Sequence, residues 1–443
     1  MTRGVPEGPA PGGRAAEAMI AFALLSLAGA FAWAIGEPSL LHGPFYLPRV
    51  LALTHLVTLG WVTSVAVGVF LLLSPPILQT RPKGSRPSTA LFVLWFLGAT
   101  GTAFHMGEGN WFGVWTGAAL ATAAIVFFTV MHRDVFGRAF RGNWIAVYAA
   151  AAMVNLLLAA AAGTLLGWER GRGWFPPTPW AGVGLHLILA EAGWVTLLVL
   201  GFGRKLLPTL APERARDRWE SPLRFGTMVV GTWGTAACVL FAPRWVPLFA
   251  FVLGGSILLH LLRPLGKWLA GRVRDRASFW GSAALACLAL DVLLGLALAV
   301  GLFPETARVR ALFAFGFLAL AGWNTLAITS FALKLFPMWV WQVRFQKDLG
   351  KRPVPAMMDL YSHRLQHVTG FALFAGSLAG TAGLLAGVTP LTDWGVRLAG
   401  FGVLSFLVNF AMVLRWRIPS VAYRPGEEDW RKFEETWGEH APE

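Results

Sequence analysis

Hydrophobic positions in this chain do not alternate with polar ones. They run on in long blocks, separated by short stretches that collect prolines and charges. Twelve apolar segments can be drawn, at approximately 16–35, 49–74, 88–105, 111–131, 143–167, 180–207, 222–242, 245–264, 277–303, 306–336, 365–388 and 393–415. A nearly uncharged run of about 18 residues or more is the length an α-helix needs to cross a bilayer. Lipid cannot hydrogen-bond the backbone, so a spanning segment satisfies its own amides by forming a helix. The predicted fold class is an all-α polytopic membrane protein with 12 transmembrane helices.

A second pattern lies on top of the first. Gly60-Trp61-x-Thr63 is followed by Gly68 and Pro75; Gly193-Trp194-x-Thr196 by Gly201 and Pro208; Gly322-Trp323-x-Thr325 by Ser330 and Pro337. The internal spacing is identical in all three copies. They fall in the second, sixth and tenth segments, so each is the second helix of a group of four. The chain therefore divides into four-helix repeats at 16–133, 143–265 and 277–415, between a cytoplasmic N-terminus (1–15) and a cytoplasmic tail (418–443). Units with an even number of helices share one orientation, so they are related by rotation about the membrane normal. The expected architecture is three pseudo-threefold-related four-helix arcs. Within the motif, small residues permit close helix contact, Thr bonds back to its own helix, and the proline stops or kinks it.

Charge fixes the orientation. With the N-terminus inside, the inner segments hold 30 of the 37 Lys and Arg residues. Basic residues favour the cytoplasmic side, so both termini are placed there, in a multi-pass protein of the bacterial inner membrane. The first apolar run lacks a convincing cleavage site after it and is read as a retained helix. Composition agrees: 56% hydrophobic, 14% charged and a mean hydropathy of +0.58 exclude an ordinary soluble protein. The net charge of +14 sits in short loops rather than on one face, so the partner is a lipid bilayer and not nucleic acid. Cys238 and Cys287 both lie in apolar runs and read as small buried hydrophobes.

Twelve helices, cytoplasmic termini and three four-helix arcs resemble subunit I of the heme-copper oxidase and nitric oxide reductase superfamily. The His-plus-Gly-Trp style also looks like the NnrS-type membrane heme proteins linked to nitric oxide stress. The resemblance covers residues 16–415. It implies a low-spin heme histidine on the second helix, where His55 stands, and a copper histidine on the sixth, where His186 stands. It also implies two histidines on the tenth helix and a His-His pair on the seventh. Segments 306–336 and 222–242 contain no histidine, and Phe315 and Phe317 occupy the expected positions. A phenyl ring has no lone pair to give a metal. The family's chemistry thus reaches this chain as heme b without the oxygen-reductase site.

Three histidines are candidates for the heme: His55, His186 and His105, which ends the third segment in AFHMGEGN. Ionisable residues within a span are expensive and default to a functional reading. By that rule Glu191 and Asp291, near the bilayer midplane, are candidates for a proton or ion path. Asp359, His363 and His367 fall at i, i+4 and i+8, a spacing that suits a divalent metal. Asn155, Asn324 and Asn409 read as interhelical hydrogen-bond partners, and His132 and His260 as residues snorkelling at helix ends. The expected function is a membrane heme protein in respiratory or nitric-oxide-related metabolism, with respiratory-chain or nitric oxide reductase subunits as partners. The alternative from a different class is a heme-free transporter, or an assembly or accessory subunit of a respiratory complex.

Overall fold

The computed structural model describes residues 13–172, 179–206, 217–350 and 353–416. The tail at 418–443, most of the N-terminal segment, Pro176-Pro177 and the motif proline Pro208 lie outside the described residues. Within them every regular element is helical. Twelve helices are long and apolar enough to cross a membrane: α1 (Gly13–Gly36), α2 (Pro48–Leu78), α3 (Ser85–Gly107), α4 (Trp111–Met131), α5 (Trp144–Arg172), α6 (Ala181–Lys205), α7 (Pro222–Phe241), α8 (Pro243–Leu269), α9 (Arg276–Ala299), α10 (Glu305–Arg344), α11 (His363–Ala386) and α12 (Thr389–Arg415). Large side chains such as Leu25, Phe104, Phe112, Leu262 and Phe371 stand on the outside and are well exposed. An apolar exterior around an apolar core is what a bilayer environment demands.

Lipid is as apolar as leucine, so these helices cannot associate by hiding grease from water. They pack instead through small residues that let backbones approach. Gly376 of α11 would put a Cβ 2.5 Å from the Ala399 amide nitrogen of α12, and Gly383 one at 2.5 Å from that of Thr392. Gly117 of α4 lies equally close to Thr102 of α3, and Gly231 of α7 lies against the Leu253 backbone of α8. The third and fourth helices of each group thus meet backbone to backbone. The groups are joined in a closed order, with α4 against α5, α8 against α9, and α12 back against α1.

The Gly-Trp-x-Thr motif has a backbone correlate that its spacing did not announce. Each copy ends an eight-residue π-helical stretch: Leu56–Thr63 in α2, Leu189–Thr196 in α6 and Leu318–Thr325 in α10. A π turn bonds i to i+5 and is wider than an α turn, and it commonly marks a functional site. The wider turn shifts hydroxyl bonding by one residue. Thr325 Oγ1 donates to Leu320 O at 2.7 Å, five residues back, and in α2 the next residue does so, Ser64 Oγ to Leu59 O at 2.8 Å. Trp61, Trp194 and Trp323 are each 1% exposed. The motif glycines all face the first helix of their own group: Gly60 meets Ser26 of α1, Gly193 meets Asn155 of α5, and Gly322 meets Cys287 of α9. Pro75 and Pro337 do not stop their helices, since α2 continues to Leu78 and α10 to Arg344.

Candidate cofactor site

The three π-bearing helices converge. The π stretch of α2 touches that of α10, and Asn324 Nδ2 of α10 donates to Glu191 Oε2 of α6 at 3.0 Å. Between α2 and α6 the imidazoles of His55 and His186 face one another, ring centroids 6.3 Å apart and planes 23° apart. Each ring is fixed by its Nδ1. That of His55 bonds the Leu51 carbonyl at 2.8 Å, and that of His186 bonds the Ala159 carbonyl of α5 at 2.8 Å. A carbonyl only accepts, so both Nδ1 atoms carry the proton and both Nε2 atoms keep a lone pair. This is the outer-shell arrangement that orients a ligating histidine. The His186 ring fits only because residue 163 is glycine: a Cβ there would lie 2.9 Å from Cε1.

The fit to a bis-imidazole heme can be tested on that geometry. The Nε2 lone pair of each ring, left free by its Nδ1 bond, would be the donor that holds a heme between α2 and α6. The tautomer of each ring and the placing of the two rings side by side between the helices suit that role. His105 is not part of the pair. Its ring rests in a notch left by Gly113 at the corner of α3 and α4, beside Phe104. Phe315 and Phe317 fill notches on other helices, over Gly295 of α9 and Gly380 of α11.

Glu191 is bonded to Asn324 in the π stretch of α10, and α9, which carries Asp291, packs against the same stretch. Asp291, on α9, is 3% exposed, and its Oδ1 has no hydrogen-bond partner; nor do Glu191 Oε1 and Asn324 Oδ1. Asn409 clasps the chain before α11, accepting from Ser362 N at 2.7 Å and donating to Ser362 O at 2.9 Å. Asn155 instead bonds the Ala151 carbonyl of its own helix.

The expected shared face of Asp359, His363 and His367 is broken. Ser362 caps α11, so the helix begins at His363, and Asp359 belongs to the separate 3-10 turn Met357–Leu360. Its Oδ2 accepts from Ala356 N at 3.0 Å. Both ring nitrogens of His367 lie at 3.2 Å from other donors, Trp280 Nε1 and Arg276 Nε. Among the described residues no group of three His, Cys, Asp or Glu side chains is arranged to hold a metal ion. His132 does not snorkel either. It is fully buried between Phe70 and Phe128, and burial pushes its imidazole down to about 4. His260 accepts or donates a 2.9 Å bond with the Tyr148 hydroxyl.

No protein-family model matches the chain, and no curated protein matches it in sequence. The π-helical register and the notches at Gly113 and Gly163 were not readable from the sequence, because a glycine's partner on another helix leaves no local signal.

Proposed function

We propose that this chain is a multi-pass heme protein of the bacterial inner membrane, built like subunit I of the heme-copper oxidase superfamily. The single observation that carries the heme reading is the His55–His186 pair, with 6.3 Å between ring centroids and both Nδ1 atoms engaged by backbone. In this reading His55 and His186 hold heme b, which supplies one-electron transfer when bound. The residues of this chain fix the two rings: the Leu51 and Ala159 carbonyls set the tautomers, and Gly163 sets the approach of His186.

The architecture proposed is three four-helix arcs related by pseudo-threefold rotation, both termini cytoplasmic. It is supported by the closed order of the groups, by the three π stretches in one register, and by the basic bias of the inner loops. Oxygen-reductase turnover is not part of the proposal, because Phe315 and Phe317 stand where the superfamily places histidines. A respiratory or nitric-oxide-related setting, with an electron-transfer subunit as partner, rests on the resemblance.

The test is a visible spectrum of the purified protein from heme-replete cells. A Soret band with b-type reduced bands supports the reading, and its loss in His55→Ala and in His186→Ala assigns the ligands. A colourless, well-folded preparation overturns it and favours the heme-free transporter.

A further inference from the structure

We propose that Glu191, Asp291 and Asn324 form a sodium-ion site in the membrane interior, where α6, α9 and α10 meet. The proposal does not depend on heme. Three observations carry it. First, the two carboxylates come from different helices that both meet the π stretch of α10, Glu191 through its bond to Asn324 and Asp291 through the packing of α9, and among the described residues no Lys or Arg side chain acts on either. Buried charge is costly unless paired or bound to a metal, and a cation supplies the compensation the protein does not.

Second, each of the three side chains has one oxygen without a partner: Glu191 Oε1, Asp291 Oδ1 and Asn324 Oδ1. Asp291 is 3% and Asn324 2% exposed, so bulk water does not serve them. Asn324 is held at the site by its own amide, which donates to Glu191 Oε2 at 3.0 Å. Buried polar atoms in a native protein are nearly always satisfied. Two of these oxygens belong to the bonded Glu191–Asn324 pair and the third to the helix packed against the same π stretch, and unpartnered oxygens so placed describe a site for a hard cation.

Third, Glu191 and Asn324 both lie inside π stretches. In secondary transporters, irregular helical backbone at the repeat interface is where carbonyls join side chains in coordinating sodium. The donor set argues against a divalent ion. Calcium takes six to eight oxygens, and magnesium demands an octahedron with several waters. Three side-chain oxygens plus backbone carbonyls suit a monovalent ion better.

The experiment uses the full-length purified protein in nanodiscs, with sodium chloride as the probe and potassium or choline chloride at equal ionic strength as controls. Equilibrium binding of radioactive sodium and thermal unfolding are both read. The expected result is saturable sodium binding and a rise in melting temperature specific to sodium. Asp291→Asn and Glu191→Gln, which remove one charged donor each, should weaken binding by about tenfold or more. Asp393→Asn, at the distant His42–Asp393 pair, should leave binding unchanged. Should a variant fail to fold, the comparison of cations on the unaltered protein decides alone. Absence of saturable sodium binding, or the same stabilisation in sodium, potassium and choline, overturns the proposal.

Discussion

Gly193 of α6 lies so close to Asn155 of α5 that a methyl group placed on it would sit 2.6 Å from Asn155 Cγ. The same relation holds between Gly60 and Ser26, at 2.5 Å from Oγ. Overfilling a packed core typically costs about 1–3 kcal/mol. Gly193→Ala and Gly60→Ala should therefore lower the melting temperature of the detergent-solubilised protein. Gly322→Ala should cost less, because Cys287 Sγ is 3.1 Å away and the nearer atom, Leu318 Cδ1 at 2.8 Å, is the end of a flexible side chain. Equal losses at all three glycines would contradict this ranking.

The heme reading separates three histidines that the sequence could not. His105→Ala should leave the Soret band in place, since that ring sits over Gly113 and away from the facing pair. Gly163→Val changes no ligand but drives a side chain into the His186 ring. Outer-shell changes of this kind typically cost about 10–100-fold in affinity. Heme titration of the apoprotein should show a loss of that size for Gly163→Val and none for His105→Ala.

The corner after α4 should make stability pH-dependent. His132 lies just beyond the span, and burial lowers it from 6.5 to about 4. Between those values the unfolded chain binds a proton that the folded chain refuses. Folding stability is therefore full above 6.5 and falls as pH drops from 6.5 through about 4. Asp134 adds to the loss at lower pH. Burial alone would raise it, but the Lys83 ammonium at 2.9 Å and the Arg81 amide at 3.1 Å hold it below the usual carboxylate range. Its contribution is present above 3.8 and is lost below, as the folded carboxylate takes up its proton. Thermal unfolding of His132→Gln should show a flatter profile between pH 6.5 and 4 than the unaltered protein.

Helices α11 and α12 depend on glycine more than any motif reveals. Gly395 lies directly against the Gly380 backbone, and Gly376 and Gly383 flank that contact. Gly395→Leu cannot be absorbed by a rotamer change, because the obstacle is main chain. It should abolish folding or separate the two helices, read as loss of a cysteine crosslink engineered between them. The exposed Phe401→Leu on the lipid side of α12 should be nearly silent in the same assay.

Much of the fold was legible because membrane helices announce themselves one at a time. The twelve segments follow from local hydropathy, and the repeat at Gly60, Gly193 and Gly322 follows from spacing within one helix. What the sequence hid was everything between helices. The pairing of His55 with His186, and the seat of His105 over Gly113, depend on which small residue of a neighbour opens a notch. Asp359, His363 and His367 failed as a shared face for a local reason that could have been weighed. Ser362 is a favoured helix-capping residue, and its Oγ accepts from Leu365 N, which starts the helix after Asp359. His132 was misplaced because a helix-end histidine looks the same in sequence whether it points outward or into Phe70 and Phe128.

The π stretches carry a consequence for how this chain tolerates insertion and deletion. A π turn holds one more residue than the α turn it replaces, so each of α2, α6 and α10 contains a residue it could lose and still remain a continuous helix. Removing one residue from Leu189–Thr196 would turn everything on the His186 side against everything on the Gly201 side. The apolar composition would be intact and the span just as long, yet His186 would leave His55 and Glu191 would leave Asn324. Three widened turns at one register make the facing of side chains, rather than the crossing of the membrane, the property most sensitive to a single-codon change.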